Sequence, residues 1–463
     1  MRAGYLFQVI NLIVSILSVP LLLRYLSVGE YLLWSVFTTF GTVSIQLQNS
    51  IQFVAARQIA YAHLSEDSGR MRTAIVRTRA AYRKLVLIVA GPFLVAGLIY
   101  LQFIARPQLG VTGIPEWCVF ILAFLVTYYF APNNSILLGT RRVSTNNHIL
   151  SVTRVLYFVG NYLVLRAGFA IMGICLIFLV SQLIGSAIGA YQARKPAHDP
   201  DYPAADAVAS PASAAAVQSR IRLYAVYMLA SYALYNGDLL LAAAVYPKGD
   251  VASYALGLQS SLLLVALAQV PLQVWLSRFI GAIASGDTEQ VTHELAVSIV
   301  VCNAVFVAGF AVLAAIGNVL LRLIGSHVML PGIWSLLALG LAFLVELNIY
   351  LLVNLLVNKG NYAFVRVYAL TSAGALVICL VAASMFGRFM LGLILVPLAL
   401  QMTVSLPAIL TIACRELHIR RANLARDVAA VWLELYRTGR IARAPAGAVV
   451  GRASEVAAED RSS

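Results

Sequence analysis

Long apolar runs separated by short polar segments dominate the pattern of residues along this chain. Most runs contain roughly 20 residues, which as a helix cross a hydrocarbon core of about 30 Å. Twelve runs are present, six before and six after one longer polar segment, and they predict an all-α polytopic membrane protein. The predicted helices are 5–24, 31–56, 85–104, 117–138, 149–165, 169–191, 223–245, 252–277, 294–317, 333–357, 363–386 and 389–413.

One long polar segment divides the twelve predicted helices into two sets of six. It begins with Lys195-Pro-Ala-His-Asp-Pro-Asp-Tyr-Pro203 and continues as an Ala/Ser/Pro tract, a composition that is typical of a flexible linker. After the last apolar run, arginines interspersed with large apolar residues predict a basic amphipathic helix at the inner membrane surface, attracted by anionic lipids. The predicted regions are an N-terminal six-helix lobe at 1–194, a cytoplasmic linker at 195–221, a C-terminal six-helix lobe at 222–414, the amphipathic interfacial helix at 415–438 and a disordered tail at 439–463.

Composition and charge define the environment and the orientation of these helices. The chain is 61% hydrophobic and only 11% charged, whereas about 25% of residues are charged in a soluble protein. A net charge of +14 would suggest nucleic acid for a soluble protein, but here the charge follows the positive-inside rule and no nucleic acid is expected. The most basic inner segment, 57–84, predicts an amphipathic connection, and 278–293 is its shorter counterpart. With the N-terminus inside, six of the 33 Lys and Arg fall outside, namely Arg24, Arg106, Arg166, Lys248, Arg322 and Arg388, so both termini are expected in the cytoplasm.

A short polar pattern occurs once in each predicted lobe, with glutamines at i and i+4 followed by an arginine five positions later. All three residues recur at one constant offset along the chain, as a duplicated six-helix unit would place them. The two glutamines of a copy share one helix face. Each arginine fits two alternatives, a bidentate grip on a phosphate or an anchor that reaches lipid headgroups. The residues are Gln48, Gln52 and Arg57 in the first copy, and Gln269, Gln273 and Arg278 in the second.

Three further charged residues within predicted helices are candidates for function, because an ionisable group is costly in hydrocarbon. Glu346, near the middle of the tenth helix, fits either a proton-coupling carboxylate or a hydrogen-bonded acid that fixes two helices. Asp238, in the outer half of the seventh helix, fits either a helix contact or a substrate role. Arg154, with Arg366 as a loose partner in the second half, is either a headgroup anchor or a substrate clamp.

Motifs of enzymes and cofactor sites are missing from the sequence. It contains no Gly-x-x-x-x-Gly-Lys-Ser/Thr loop, no Gly-x-Ser-x-Gly elbow and no His/Cys cluster with metal spacing. The five cysteines are scattered and include no Cys-x-x-Cys pair. We therefore expect neither an enzyme, nor a cofactor, nor a metal site.

Two stretches resemble the polysaccharide flippase family, the O-antigen and teichoic-acid exporter branch of the multidrug/oligosaccharidyl-lipid/polysaccharide exporter superfamily. The first is Pro20-Leu-Leu-Leu-Arg-Tyr-Leu-Ser-Val-Gly-Glu-Tyr31, and the second is Lys248-Gly-Asp-Val-Ala-Ser-Tyr-Ala255. Ser27 departs from the family pattern, which usually has glycine at this position. The resemblance covers essentially residues 1–414.

This resemblance implies a MATE-like fold of two pseudo-symmetric six-helix lobes around a central cavity. It also implies a flippase in the bacterial cytoplasmic (inner) membrane that exports a polyprenyl-diphosphate-linked oligosaccharide for polysaccharide biosynthesis, such as the O-antigen of lipopolysaccharide. Membrane lipids, a polysaccharide polymerase and a chain-length regulator would be its partners. For such a substrate the diphosphate needs cations, with Arg57, Arg278 and Arg154 as candidates. The sugars need amides, which the paired glutamines of the repeat would supply.

Three alternatives stay open at this stage. A cation-coupled multidrug or metabolite antiporter of the same superfamily would share the fold. Cationic drugs suit an acidic pathway, whereas this chain has only Asp238 and Glu346 as buried acids. A major-facilitator carrier would also have six plus six helices, although its Gly/Asp/Arg-Gly-Arg cluster is absent from 57–84. A non-transporting scaffold of a polysaccharide synthesis complex is the third alternative, and the intramembrane Glu346 argues against it.

Overall fold

The computed structural model describes residues 2–64, 68–105, 113–140, 142–194, 214–272, 288–386 and 390–438, and helices account for nearly all of them. We number the helices α1 to α13 in chain order. The described residues include two π-helical turns, at Tyr100–Ala105 after α3 and at Gln401–Ser405 within α12. The bounds are α1 Arg2–Tyr25, α2 Val28–Leu64, α3 Ser68–Ile99, α4 Ile114–Gly139, α5 Val143–Arg166, α6 Ala170–Arg194, α7 Ala214–Val245, α8 Lys248–Ala268, α9 Thr288–Leu323, α10 Ile333–Asn358, α11 Phe364–Phe386, α12 Met390–Glu416 and α13 Arg421–Thr438.

The described part of the chain confirms the predicted all-α membrane protein. Nine of its helices, α4 to α12, are long and apolar enough to cross a membrane. Shorter apolar stretches lie in α1 at Ile13–Tyr25 and at the end of α3 at Leu94–Phe103. Together with α2, these helices are consistent with the twelve that the sequence predicts.

The described residues of the basic segment 57–84, which the sequence predicts to be a connection, belong to helices α2 and α3. α2 continues to Leu64, and α3 begins at Ser68. The polar residues therefore mark where the helices leave the hydrocarbon and not where they end, because arginine and alanine are good helix formers. Residues 273–287, which include most of the predicted counterpart, lie outside the described residues.

Two other predicted segments are only partly described. Residues 195–213 of the predicted linker lie outside the described residues, and α7 begins at Ala214, inside the range predicted as linker. α13 lies within the predicted amphipathic segment, and Val431 packs it on Val297 and Val300 of α9. The tail that follows lies outside the described residues.

The two lobes have the same pattern of helix packing. In α1–α6 the main pairs are α1–α5, α2–α3, α2–α4, α3–α4, α4–α6 and α5–α6. The same six pairs recur as α7–α11, α8–α9, α8–α10, α9–α10, α10–α12 and α11–α12. The spacing along the chain is also regular. The number of residues from Val28, where α2 begins, to Lys248, where α8 begins, nearly equals the number from Ile114, where α4 begins, to Ile333, where α10 begins. The fold is therefore a duplicated six-helix unit.

The lobes meet along α2, which packs on both α7 and α8. Near the start of α2, the Tyr31 hydroxyl donates to Gln259 Oε1 at 2.9 Å, and the Gln259 amide donates to Ser35 Oγ at 3.2 Å. The Tyr100 hydroxyl, just after α3, donates to the Leu240 carbonyl of α7 at 3.0 Å. These three bonds lie in the half of the fold where α2 begins and α7 ends, which the charge pattern predicts to be the outer half.

Candidate functional site

A buried carboxylate, Glu346, is the most elaborately bonded polar group among the described residues. Its Oε1 accepts hydrogen bonds from the hydroxyls of Tyr368 at 2.8 Å and Ser231 at 3.2 Å. Its Oε2 accepts from the Gln401 amide at 2.7 Å, from Tyr368 at 2.9 Å and from the Tyr235 hydroxyl at 3.2 Å. The four donors come from α7, α11 and α12, so one carboxylate on α10 connects four helices of the C-terminal lobe.

The local sequence explains how these donors are held. Tyr235 stacks on Phe343 with ring centroids 4.7 Å apart, and Tyr368 is fully buried. Gln401 opens the π-helical turn of α12. Pro407 follows this turn, and a proline ring clashes with the carbonyl four residues earlier in a regular helix, so the widened turn relieves the clash.

One hydroxyl in this network, that of Tyr235, has two possible acceptors. The Tyr235 hydroxyl lies 3.2 Å from Glu346 Oε2 and 2.9 Å from Gln401 Oε1, but it has only one proton to donate. When Glu346 is ionised, all four donors can point at it. When it is protonated, the acid has to donate in turn, so at least one neighbour must rotate. Protonation therefore changes which hydrogen bonds link α7, α10, α11 and α12.

The N-terminal lobe has a simpler pair at the equivalent position. There the Thr127 hydroxyl of α4 donates to Gln182 Oε1 of α6 at 3.2 Å. The offset between the starts of α4 and α10 places Glu346 opposite Thr127, and the same offset places Gln401 opposite Gln182. The carboxylate is therefore a specialisation of one lobe on a shared helix pairing.

Asp238, the second predicted coupling residue, is also buried in the C-terminal lobe. Its side chain is only 2% exposed and forms a hydrogen bond with the Cys379 thiol of α11. Its Oδ1 has no hydrogen-bond partner among the described residues. An oxygen left in this way is unusual for a buried group, so Asp238 stays a candidate beside Glu346.

The first copy of the polar repeat lies in α2, the helix that contacts both α7 and α8. Gln48 is buried and Gln52 is half-buried, beyond the inter-lobe bonds of Tyr31 and Ser35 towards the other end of α2. Arg57 is helical, but its side chain is outside the described part. The two glutamines are thus on a helix at the boundary of the lobes, as a pathway between lobes would require.

The second copy is described only in part. Gln269 is half-buried directly after α8, whereas Gln273 and Arg278 lie outside the described residues. The offset between the two copies nearly equals the offset between the starts of α2 and α8. The two copies therefore occupy equivalent places in the sequences of the two lobes.

Arg154 and Arg366 are not counterparts in the duplicated unit. The offset between Val143, where α5 begins, and Phe364, where α11 begins, places Ala375 opposite Arg154. The similarity of their neighbouring residues was therefore misleading. Both arginines are exposed on their helices.

Sequence reasoning found Glu346 but not its donors. A carboxylate within an apolar run is visible in the sequence, and so is Gln401, an amide at the end of the apolar run 390–400. Tyr235 and Tyr368 could not be selected, because the chain has 22 tyrosines and nothing in the sequence marks these two.

Comparison with known proteins agrees with this fold. An inward-facing multidrug resistance MATE family transporter of the MOP superfamily matches with a TM-score of 0.68 and 12% identity, covering 90% of this chain and 96% of its own. The lipid II flippase MurJ in an inward closed conformation matches with a TM-score of 0.64 and 12% identity, covering 96% and 93%. An outward-facing MATE transporter matches with a TM-score of 0.56 and 14% identity, covering 90% and 98%. No protein-family profile matches the chain, and no curated protein is similar to it in sequence.

These structural likenesses establish the class of the fold. The chain has the two-lobe architecture shared by MATE transporters and MurJ, and the packing pairs described above are its internal evidence. At 12 to 14% identity the likeness concerns the fold and says nothing of what is transported.

Proposed function

We propose that this chain is a flippase that moves a polyprenyl-diphosphate-linked oligosaccharide across the bacterial cytoplasmic membrane for surface polysaccharide biosynthesis. The two lobes would rock against each other and expose the pathway first to the inner and then to the outer face. A polysaccharide polymerase and a chain-length regulator would act on the exported product. Both termini would be cytoplasmic, as the charge pattern predicts.

The observation that carries this proposal is the burial of the intramembrane acids. Among the described residues, the carboxylates deep within membrane helices are Asp238 and Glu346, and they are 2% and 8% exposed. Both are bonded inside the C-terminal lobe. Deep within the described membrane helices there is therefore no exposed carboxylate that would attract a cationic drug, whereas Glu30, at the start of α2, lines a pocket with His327 of the C-terminal lobe. An anionic cargo fits better than the antiporter alternative.

The polar residues at the lobe boundary fit such a cargo. Gln48 and Gln52 on α2 offer amides to sugar hydroxyls, and Gln269 and Gln273 would do the same from the second lobe. Arg57 and Arg278, at the inner ends of the two copies, would bind the diphosphate by bidentate hydrogen bonds. The lipid chain would stay in the bilayer between the lobes. Arg154 stays a further candidate for the diphosphate, because its side chain is exposed on α5 and can reach a ligand.

Glu346 would couple transport to protons. Its protonation must reorient at least one of the donors from the three neighbouring helices, because the protonated acid donates a hydrogen bond itself. A conformational change driven by protonation requires that the ionised and protonated forms of Glu346 favour different conformations. The hydrogen bonds around this buried carboxylate differ between the two forms, and this difference would supply that preference. We expect Glu346→Gln to abolish the pH dependence of transport. Transport by this variant with the wild-type pH profile would remove Glu346 from coupling.

The sidedness of lipid-linked glycan in depleted cells tests the proposed function. Intact spheroplasts are probed from outside and compared with lysed ones, and the cells are complemented with wild type, with Arg57→Gln/Arg278→Gln or with empty vector. We expect glycan that is accessible only after lysis in the empty-vector cells and in the double variant, with the variant still present in the membrane.

Two outcomes would count against the proposal. Outward exposure of the glycan without this protein, in cells that lack a redundant exporter, would favour the antiporter. Full export by the double variant would remove Arg57 and Arg278 from the mechanism. Transport of cationic dyes by purified protein in vesicles would support the antiporter directly.

A further inference from the structure

A cavity of about 510 Å³ lies within the N-terminal lobe between α3, α4 and α6. Helices α3 and α6 both pack closely on α4 but not on each other, so a space remains between them. The volume is in the range of small-molecule binding sites. Among the described residues, the lining comes from these three helices and not from the C-terminal lobe.

The charged residues of the described lining are three arginines and no acids. Arg79 and Arg83 are four positions apart on α3 and therefore share one helix face. Arg194 lies opposite them at the end of α6. All three side chains are exposed, so their guanidinium groups can reach a ligand in the cavity. Three cations without a carboxylate among them fit a phosphate.

The inner wall of the cavity is formed by two buried tyrosines. Tyr128 is 1% exposed, and its hydroxyl lies beside Ser44 of α2 and is not accessible from the cavity. The neighbouring Tyr82 is equally buried, and its hydroxyl is paired with Ser135 Oγ at 3.3 Å. The two side chains therefore close the inner end of the cavity, and the arginines supply its charged contacts.

The mouth of the cavity is apolar and opens to the outside of the bundle. Leu87 and Tyr129 line it and are 77% and 64% exposed, which in a membrane protein places them against lipid. A free phosphate would gain nothing from this surface, whereas an acyl chain would bury it. The cavity also lies in one lobe, away from the boundary where a transported molecule has to pass, so its ligand need not move with transport.

We propose that this cavity is a binding site for the headgroup of a resident anionic glycerophospholipid of the inner leaflet. Arg79, Arg83 and Arg194 bind the phosphate oxygens, and the rings of Tyr82 and Tyr128 close the inner end of the site. The acyl chains extend past Leu87 into the bilayer.

The corresponding place in the C-terminal lobe is closed by a pair of asparagines. Asn303 of α9 and Asn348 of α10 bond reciprocally at 3.0 and 3.1 Å. The offset between the lobes makes them the counterparts of Arg83 and Tyr129. The cationic lining is therefore a property of the N-terminal lobe and not of the duplicated unit, as a dedicated ligand site requires.

Lipid titration of the purified, delipidated protein tests this site. Tetraoleoyl cardiolipin and dioleoyl phosphatidylcholine are added in detergent, and bound lipid is counted by native mass spectrometry. The cavity variant is Arg79→Gln/Arg83→Gln, and the matched control is Arg72→Gln/Arg77→Gln, which removes the same charge from exposed positions of the same helix that do not line the cavity.

We expect the apparent cardiolipin affinity to fall at least about tenfold in the cavity variant, because hydrogen bonds to a charged group are stronger than neutral ones. The control should lose less than about twofold, since general surface charge contributes little at moderate salt. Phosphatidylcholine should bind weakly to every protein. Equal losses in the cavity variant and the control would overturn the proposal, because the arginines would then act only as surface charge.

Competition with two further ligands shows whether the bound phosphate belongs to a glycerophospholipid, to the proposed cargo or to a free anion. Undecaprenyl diphosphate and inorganic phosphate are added to the cardiolipin-bound protein. We expect neither to displace cardiolipin at equal concentration. Displacement by undecaprenyl diphosphate that depends on Arg79 and Arg83 would make the cavity a cargo site, and displacement by inorganic phosphate would make it a simple anion site. Either result would contradict a resident glycerophospholipid.

Discussion

At the scale of single residues, Glu346 is held by donors that are themselves buried. Tyr368 approaches both carboxylate oxygens, at 2.8 and 2.9 Å, and is fully buried. Hydrogen bonds to a charged group are stronger than neutral ones, and a buried group that loses its partner pays the whole cost of desolvation. The stability of the C-terminal lobe should therefore depend on single hydroxyls.

Tyr368→Phe should lower the stability of the purified protein by about 1.5–3 kcal/mol, because it removes a donor from a charged acceptor. Tyr232→Phe is the matched control, since the Tyr232 hydroxyl is buried without a hydrogen-bond partner among the described residues and its removal should be neutral or stabilising. Unfolding in detergent, followed by fluorescence, measures both. Equal destabilisation by the two variants would show that the Glu346 network adds nothing to stability.

The sequence reveals acids but not their environment. Glu346 and Asp238 are conspicuous because an ionisable residue interrupts an apolar run. Whether such an acid faces a pathway or the interior of a lobe depends on which helices surround it, and periodicity within one helix does not contain that information. Gln48 and Gln269 could be predicted for a different reason. A pattern that occurs in both halves of the chain marks equivalent positions even when no contacts are known.

At the scale of helices, close packing between α3 and α4 depends on a glycine. A Cβ at Gly97 would overlap the indole ring of Trp117, which is fully buried and packs edge-on against Phe37 at 5.2 Å. By contrast, a Cβ at Gly374 of α11 would meet no described atom within 4 Å beyond its own helix backbone and chain neighbours. The two glycines therefore have opposite consequences for substitution.

Gly97→Ala should destabilise the protein by about 1–3 kcal/mol, because the overfilled contact displaces Trp117. Gly374→Ala should be neutral or should stabilise by up to about 1 kcal/mol, because alanine favours a helix over glycine and no proline follows. Thermal unfolding in detergent, with near-ultraviolet circular dichroism to report on the indole, distinguishes the two. If Gly97→Ala unfolds at the wild-type temperature, then α3 and α4 must be able to separate freely.

The apolar runs of the sequence predict the crossings of the hydrocarbon, but they do not predict where the helices end. α2 and α3 continue beyond the hydrocarbon through residues that are polar and still good helix formers. The sequence does not predict the π-helical turn of α12 either. Pro407 is visible in the sequence, whereas the widening that places Gln401 beside Glu346 depends on the packing around it.

At the scale of the whole molecule, the duplication supplies two rigid units and α2 supplies their contact. Helix pairs recur between the lobes, so each lobe has its own complete packing. Few side-chain hydrogen bonds join the lobes among the described residues, and those of Tyr31, Ser35 and Gln259 lie in the half of the fold where α2 begins. Rocking of the lobes would therefore break few bonds, and it requires these to open.

A cross-link between Ser35→Cys and Gln259→Cys should stop transport, because it fixes the lobes in the half where they have to separate. The side chains of these two residues are 3.2 Å apart in this conformation, so a short thiol cross-linker can join them. The protein also carries Cys118→Ser to remove an exposed native thiol. Cleavage of the cross-linker should restore transport, and glycan export by cells or vesicles measures both states.

A cross-link between Asn303→Cys and Asn348→Cys is the matched control for the one between the lobes. These side chains are also in contact, but they join α9 to α10 within one lobe, and rocking moves that lobe as a unit. Export should therefore continue when this pair is cross-linked. Full export with the lobes cross-linked would mean that the cargo does not pass by rocking, because the bonds of α2 would never have opened. Loss of export in the control would show instead that the C-terminal lobe itself must deform, and its own helix pairs would then be the moving parts.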